Sequence, residues 1–249
     1  MNAILDIRQV VKRFGGLTAT DHLSLDVQPG ELHALIGPNG AGKTTIINQL
    51  MGEIVPDSGD IIFAGDSMAG LTPAARVRKG LGRTFQITQL LPDYSALDHV
   101  ALAVQAHAGH SFHFFGAARA DRRLTGPARV LLERIGLGAR ADVKVASLSH
   151  GERKQLELAI ALAGEPKLLL LDEPMAGLGQ VETTQMVELL KGLKGQIAML
   201  LVEHDMDAVF ALADRISVLV YGRCIASGSA AEIQANPDVK TAYLGEGDA

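Results

Sequence analysis

The sequence predicts an α/β fold with a largely parallel sheet, preceded by an antiparallel β arm and interrupted by a helical insert. Short apolar runs at 32–36, 168–171 and 197–202 alternate with longer helix-like segments, a pattern typical of parallel strands joined by helices. A glycine-rich or charged segment follows each run. Because the carboxyl ends of parallel strands form one crevice, we expect these three segments to lie close together.

The antiparallel arm is predicted from the residues before the first apolar run. Segments 4–13 and 22–27 alternate apolar or β-branched residues with polar ones, which indicates strands with one buried face. The run at 32–36 then leads through the glycine-rich segment 37–42 into 43–51, which has the pattern of a helix. These elements form a strand, loop and helix unit.

The helical insert is predicted between Pro92 and Ala163, where the sequence is rich in alanine, leucine and arginine and lacks strand-like runs. We therefore expect one domain over 1–249, with a core built from 1–91 and 164–249 and a helical subdomain at 92–163. The tail from Ser229 predicts a short helix, a break at Asn236-Pro237 and a second short segment.

Composition and charge exclude several classes of protein. The 249 residues include 23 lysines and arginines against 28 acids, for a net charge of -5, which offers no basic surface for nucleic acid. The single cysteine cannot form an internal disulfide and favours a reducing compartment. Segment 1–12 lacks the pattern of a secretory signal, and the apolar runs are far shorter than the roughly 20 residues of a membrane-spanning helix.

Segment 37–44 has the sequence of a phosphate-binding loop. It fits G-x-x-x-x-G-K-[ST] in full, after a predicted strand and before a predicted helix, as the pattern requires. Glycines let successive backbone N–H groups point at phosphate oxygens, and the helix start adds positive potential. Lys43 would contact the β- and γ-phosphates, and the Thr44 hydroxyl would bind Mg²⁺. The predicted nucleotide-binding residues here are Gly37, Pro38, Asn39, Gly40, Ala41, Gly42, Lys43, Thr44 and Thr45.

Two acids and a histidine follow the other apolar runs. Asp172 and Glu173 end the run at 168–171, and since side chains alternate along a strand, they should have different roles. Asp172 is the candidate for holding Mg²⁺ indirectly, through one of the ion's own ligands, and Glu173 for activating the attacking water as general base; solvation at a strand end is the alternative. His204, after the run at 197–202, is a candidate γ-phosphate contact, although a lone histidine is also commonly structural.

Two further motifs carry a family resemblance. Gln86 closes Arg83-Thr84-Phe85-Gln86, and Leu148-Ser149-His150-Gly151-Glu152 opens a helical run before the two acids. With the phosphate loop, the acids and the histidine in this order, the chain resembles the ATP-binding cassette ATPases over essentially its whole length. The resemblance implies a P-loop NTPase (RecA-like) core, ATP and Mg²⁺ as cofactors, and two ATPase domains that close head to tail on two ATP molecules.

The resemblance also implies roles for individual residues. Gln86 matches the glutamine that approaches Mg²⁺ and the attacking water, which makes it a candidate catalytic residue and metal ligand. Phe14 matches the aromatic that stacks on adenine, with a core aromatic as the alternative. Ser149 and Gly151 match the signature residues that contact the nucleotide held by the partner ATPase, and the S-x-x-E spacing of Ser149 and Glu152 predicts a capped helix start.

The signature and the segment after the acids depart from the usual family spelling. His150 and Glu152 stand in a segment that is usually LSGGQ, and Gly179 stands where an aspartate is common. We expect these departures to affect the coupling between the two ATP sites.

Local spellings indicate a branch of the family. The segments 14–17, 83–86, 148–152, 202–206 and 242–245 resemble those of ATP-binding subunits of importers for branched-chain amino acids and for urea, amides and aromatic acids. This resemblance implies transmembrane permease subunits, a second ATPase subunit that is a related chain or an identical copy, and indirectly a solute-binding protein. It places the chain at the cytoplasmic face of a bacterial inner membrane, as a peripheral subunit.

Two other functions fit less well. A soluble cassette ATPase in translation or DNA repair usually carries two cassettes or a long coiled-coil insert, for which 249 residues leave no room, and the net charge argues against nucleic acid. A P-loop kinase or GTPase would leave the signature segment without a purpose, and no N-K-x-D segment is present.

The segment 107–115 combines His107, His110 and His113 with three phenylalanines. Histidines three residues apart could share a helix face and bind metal. Gly109 and the lack of a carboxylate or thiolate argue against this, so we expect the segment to contact the membrane partner.

Overall fold

The structure, a computed structural model, describes residues 3–84, 90–109, 119 and 121–244. In this part of the chain the strands are β1 (Leu5–Phe14), β2 (Leu17–Val27), β3 (Leu32–Ile36), β4 (Ser58–Phe63), β5 (Asp66–Ser67), β6 (Leu81–Arg83), β7 (Leu168–Asp172), β8 (Ala198–Val202), β9 (Arg215–Val220) and β10 (Arg223–Gly228). The helices are α1 (Lys43–Met51), α2 (Pro73–Arg78), α3 (Ala96–Ala108), α4 (Arg122–Arg134), α5 (His150–Leu162), α6 (Gln180–Leu193), α7 (Met206–Leu212), α8 (Ala230–Ala235) and α9 (Pro237–Leu244). Short 3₁₀ turns at Gly138–Arg140 and Val145–Ser147 lie between α4 and α5.

The larger sheet holds the three predicted apolar runs side by side. Among the described strands its order is β10-β9-β3-β8-β7-β6, with β9, β3, β8, β7 and β6 parallel. The register places Val202 opposite both Leu35 and Asp172. The carboxyl ends of β3, β8 and β7 therefore lie at one edge, as the sequence predicts.

Strand β7 separates two parts of the core. Leu169 and Leu171 belong to a buried cluster with residues of α3 to α7, whereas Leu168 and Leu170 pack with residues of α1 and the β arm. Side chains alternate along a strand, so Asp172, the next residue after Leu171, is directed to the α1 side. Because of this alternation, the Asp172 side chain lies on the side of α1, the helix that begins at the phosphate loop.

The antiparallel arm is a sheet of order β2-β1-β4-β5. Leu5 lies opposite Val27 on β2 and opposite Phe63 on β4, and both pairings are antiparallel. The predicted strands at 4–13 and 22–27 are present, although β2 begins earlier, at Leu17. Strands β4 and β5 were not predicted, because the first half of β4 and all of β5 are exposed and polar.

The segment 92–163 contains α3, α4 and α5 and, among its described residues, no strand. Helix α3 begins with a capping box, in which the Ser95 hydroxyl accepts from the Asp98 N–H and the Asp98 carboxylate accepts from the Ser95 N–H. In the tail, α8 and α9 are separated at Asn236, as predicted. None of the described helices combines the length and the hydropathy that a membrane span requires.

Candidate functional site

The phosphate loop can be built only with glycine at two of its positions. Gly37 and Gly42 have φ angles of 155° and 107°. A Cβ atom would lie 2.1 Å from the carbonyl oxygen of Leu219 at Gly37, and 2.2 Å from that of Ala19 at Gly42. These clashes are with backbone atoms, which cannot move aside without shifting β9 or β2. The glycines of the motif therefore pack the loop between two strands.

Lys43 lies inside this loop. Its Nζ donates to the carbonyl oxygens of Gly37 at 2.5 Å and Pro38 at 2.9 Å. Burial lowers the pKa of Lys43, while the negative charges of Glu173 and Asp172 act in the opposite direction. Burial makes the charged form of Lys43 costly, and a nearby anion such as a phosphate would stabilise that charged form. Thr44 is exposed and Thr45 half-buried in the first turn of α1.

Asp172 forms a buried ion pair at the end of β7. Arg83, at the end of β6, donates from Nη2 to Asp172 Oδ2 at 3.1 Å, and their side chains are 8% and 2% exposed. Nη1 of Arg83 also donates to Asn48 Oδ1 on α1 at 3.0 Å and approaches Glu53 Oε2 at 3.3 Å. This cation therefore links β7 to the helix that carries the phosphate loop.

Glu173 and His204 contact each other. His204 Nε2 lies 2.8 Å from Glu173 Oε1, and the Glu173 N–H donates to the carbonyl oxygen of Val202 at 2.9 Å. Glu173 has a φ of 51°, an uncommon conformation for a residue with a side chain and one that is enriched at functional sites. Two of the three residues that the sequence assigned to catalysis are thus in contact, and the Glu173 carboxylate helps to position His204.

The signature segment begins α5 with the predicted capping box. The Ser149 hydroxyl accepts from the Glu152 N–H at 3.1 Å, and Glu152 Oε2 accepts from the Ser149 N–H at 2.8 Å. Arg140 donates to Glu152 Oε1 at 2.9 Å. Glu152, the residue that departs from the family spelling, therefore fixes the start of the helix, and Ser149 itself remains exposed.

The sequence matches the family profile described as ABC transporter over residues 20–176. The chain belongs to this family. A second profile, described as branched-chain amino acid ATP-binding cassette transporter, matches residues 223–249. The order of phosphate loop, signature segment, acids and histidine is thus that of an ABC cassette, and the family prediction is confirmed.

Curated relatives and solved structures agree with this assignment. The chain is 37% identical to the high-affinity branched-chain amino acid transport ATP-binding protein LivG of Escherichia coli strain K12, over 98% of each protein. An ATP-binding cassette of an ABC transporter in its ADP conformation is 29% identical, with a TM-score of 0.87 over 98% of this chain and 100% of that one. A dimeric cassette in a post-hydrolysis state, bound to ADP and Pi, is 25% identical with a TM-score of 0.75, over 90% and 98%. The chain is accordingly an ABC-type ATPase with the predicted α/β fold.

His150 and Gly151 of the ABC signature are linked to the segment after the acids and to α6. His150 Nε2 lies 3.3 Å from the carbonyl oxygen of Ala176. Glu182, on α6, accepts from the Gly151 N–H at 3.3 Å through Oε1 and from the Gly179 N–H at 3.1 Å through Oε2. A Cβ atom at Gly151 would lie 2.5 Å from Glu182 Oε1. One carboxylate therefore joins the signature helix to the loop in which Gly179 replaces the usual aspartate.

A further predicted ligand residue, Phe14, is exposed. Phe14 ends β1 and is 48% exposed, with the Lys12 ammonium 5.5 Å from its ring centroid, so it is available to a flat base rather than buried in the core. Gln86 and residues 110–115 of the predicted contact segment 107–115 lie outside the described residues, whereas His107 lies in the last turn of α3.

One buried acid of the site was not predicted from the sequence. Glu203, between β8 and His204, is 4% exposed and accepts hydrogen bonds from backbone N–H groups on two loops. A charged residue that directly follows a wholly apolar strand is a sequence signal for a site residue, but a role was predicted only for the neighbouring His204.

Proposed function

We propose that this chain is the ATP-hydrolysing subunit of an importer for branched-chain amino acids. The observation that carries the proposal is the 37% identity to LivG over 98% of both chains, supported by the match of residues 223–249 to the branched-chain amino acid cassette profile. The transported solute could also be a related amide, urea or aromatic acid, because other chains of such a transporter select it.

In the proposed site, Mg-ATP lies on the phosphate loop. Backbone N–H groups of the loop and the Lys43 ammonium would hold the phosphates, and Thr44, Asp172 and Gln86 would hold Mg²⁺. Bound Mg²⁺ would neutralise charge on the β- and γ-phosphates. The hard oxygen donors at Thr44 and Asp172 fit such an ion, and the start of α1 adds positive potential for the phosphates.

Hydrolysis is assigned to Glu173 and His204. The Glu173 carboxylate takes a proton from the attacking water, and His204, 2.8 Å from Glu173 Oε1, orients that carboxylate and contacts the γ-phosphate. The phosphorus–oxygen bond to ADP breaks as the bond to water oxygen forms. Phe14 stacks on the adenine.

A second cassette completes each site. We propose that Ser149 and Gly151 contact the γ-phosphate held by the partner ATPase, either a copy of this chain or a related subunit. The dimeric cassette among the similar structures supports this arrangement, as does the exposure of Ser149 at a helix start, where N–H groups favour an anion.

The segment 92–163 is proposed as the helical subdomain that meets the permease, with 1–91 and 164–249 as the catalytic core. A cleft between α3 and α4 is lined by Tyr94, Leu102 and Arg119, and Leu91, Tyr94 and Leu102 expose apolar surface beside it. Apolar surface rimmed by charge is typical of a protein contact. The permease would hold the chain at the cytoplasmic face of the membrane, with a solute-binding protein acting on the other side.

The proposal is tested by transport. In cells from which the gene is deleted, the intact gene should restore uptake of labelled leucine, isoleucine and valine, whereas Lys43→Ala should not. If the gene restores only the uptake of urea or short amides, the transported solute is one of these and not a branched-chain amino acid. If the tagged chain purifies without membrane subunits and uptake is unaffected by the deletion, the soluble, non-transport alternative is correct.

A further inference from the structure

A buried carboxylate beside the site has no part in the chemistry assigned above. Glu203 Oε1 accepts from the Met175 N–H at 2.8 Å, and Oε2 accepts from the His204 N–H at 2.7 Å and the Asp205 N–H at 3.3 Å. A buried acid is costly unless it is hydrogen-bonded, and these donors accommodate it. Hydrogen bonds to a carboxylate are also stronger than neutral ones.

Both segments that Glu203 joins carry a reactive side chain. Met175 lies two residues after Glu173, and His204 is the next residue after Glu203. Glu173 and His204 meet directly at 2.8 Å. The contacts form a closed ring that runs from Glu203 to Met175, along the chain to Glu173, across to His204 and back to Glu203.

We propose that Glu203 is a positioning residue for ATP hydrolysis. Its carboxylate fixes the backbone of Met175 and of His204, and so keeps the His204 imidazole in contact with Glu173. The His204 side chain is 45% exposed, so packing alone constrains it little, and its orientation depends on how its backbone is held. The inference rests on the proposed function, in which Glu173 activates the water.

The variant Glu203→Gln tests this role. The amide keeps one oxygen acceptor but turns an NH₂ group toward a backbone N–H, so one of the two loops loses its anchor. We expect kcat to fall about 10- to 100-fold, since small displacements of catalytic groups have effects of this size. The KM for ATP should stay within about threefold, because the phosphate loop is untouched.

The matched control is Asp205→Ala. Asp205 caps α7 by accepting from the Ala208 N–H at 3.0 Å, so its removal weakens the adjacent helix start but leaves the hydrogen bonds of Glu203 in place. Its kcat should stay within about threefold of the unmodified chain, even where its unfolding midpoint falls as much as that of Glu203→Gln.

A double-mutant cycle separates positioning from general damage. In a His204→Ala background there is no imidazole to orient, so Glu203→Gln should lower kcat by less than about threefold. Equal losses in the two backgrounds, or a loss in Asp205→Ala as large as in Glu203→Gln, would overturn the proposal. Lys43→Ala tests the underlying function separately, because unchanged turnover there contradicts hydrolysis at this site, whereas unchanged kcat in Glu203→Gln contradicts only the positioning role.

Discussion

The ion pair between Arg83 and Asp172 gives a stability prediction that also tests where the metal binds. In Arg83→Met the side chain keeps much of its length and apolar contact but loses its charge. Asp172 is 2% exposed and faces the Arg83 guanidinium at 3.1 Å. Removing one partner of a buried pair leaves the other charge poorly compensated, which costs about 3–5 kcal/mol of the free energy of unfolding.

Mg-ATP should reduce this loss. In the proposed site Asp172 would help to hold Mg²⁺, whose charge would take the place of the guanidinium, so the difference between Arg83→Met and the unmodified chain should shrink when Mg-ATP is saturating. Urea unfolding followed by far-UV circular dichroism, with and without Mg-ATP, measures both differences.

The control is Arg223→Met. Arg223 pairs with Asp21 at 2.6 Å, but its side chain is 67% exposed, and exposed pairs contribute about 0–1 kcal/mol. If Arg83→Met loses no more stability than this control, the buried pair is not important to the fold. If its loss is the same with and without Mg-ATP, no cation replaces the guanidinium at Asp172.

Three further predictions follow from the described contacts. Glu173→Gln should bind ATP within a few-fold of the unmodified affinity but hydrolyse it about 10²–10⁴-fold more slowly, and light scattering should show a dimer with Mg-ATP; normal turnover would show that the base is another residue. Arg76→Met should lower the free energy of unfolding by about 3 kcal/mol in urea, because the buried guanidinium donates to the carbonyl oxygens of Gln49, Leu50, Met68 and Leu71; a change below about 1 kcal/mol would contradict this. Burial, with a smaller effect of Arg215, lowers the pKa of His33 below 6.5. Between the lowered pKa of His33 in the folded chain and its ordinary pKa of about 6.5 in the unfolded chain, the unfolded chain binds more protons. The free energy of unfolding should therefore fall as the pH drops below about 6.5, and should fall less steeply in His33→Gln.

The parts of the site that the sequence predicted are those set by local geometry. The phosphate loop is a run of adjacent residues whose spacing is itself the signal, although the backbone atoms that require glycine at 37 and 42 belong to Leu219 and Ala19, far away in the chain. The capping box of Ser149 and Glu152 is set by a spacing of three residues within one helix start. Both patterns are contained within a few adjacent residues, so they can be recognised before the fold is known.

The parts that the sequence did not predict depend on partners far apart in the chain. Arg83 and Asp172 are 89 residues apart, and Glu203 and Met175 are 28 apart. Only the order of strands in the sheet brings these pairs together. Strands β6 and β9 were missed for a different reason. Strand β6 is only three residues long, and β9 ends without the polar residues that follow β7 and β8.

The carboxylate of Glu182 bears on the energetics of the proposed closure of two cassettes. In the single subunit the Gly151 N–H already donates to an anion, Glu182 Oε1, at 3.3 Å. A γ-phosphate from a partner would then replace one acceptor with another, and the net gain is the difference between two hydrogen bonds rather than the whole of one. With the proposed contact of Gly151 to the partner's γ-phosphate, closure of the dimer would be an exchange of anions at the signature helix, and the association would stay reversible when phosphate leaves.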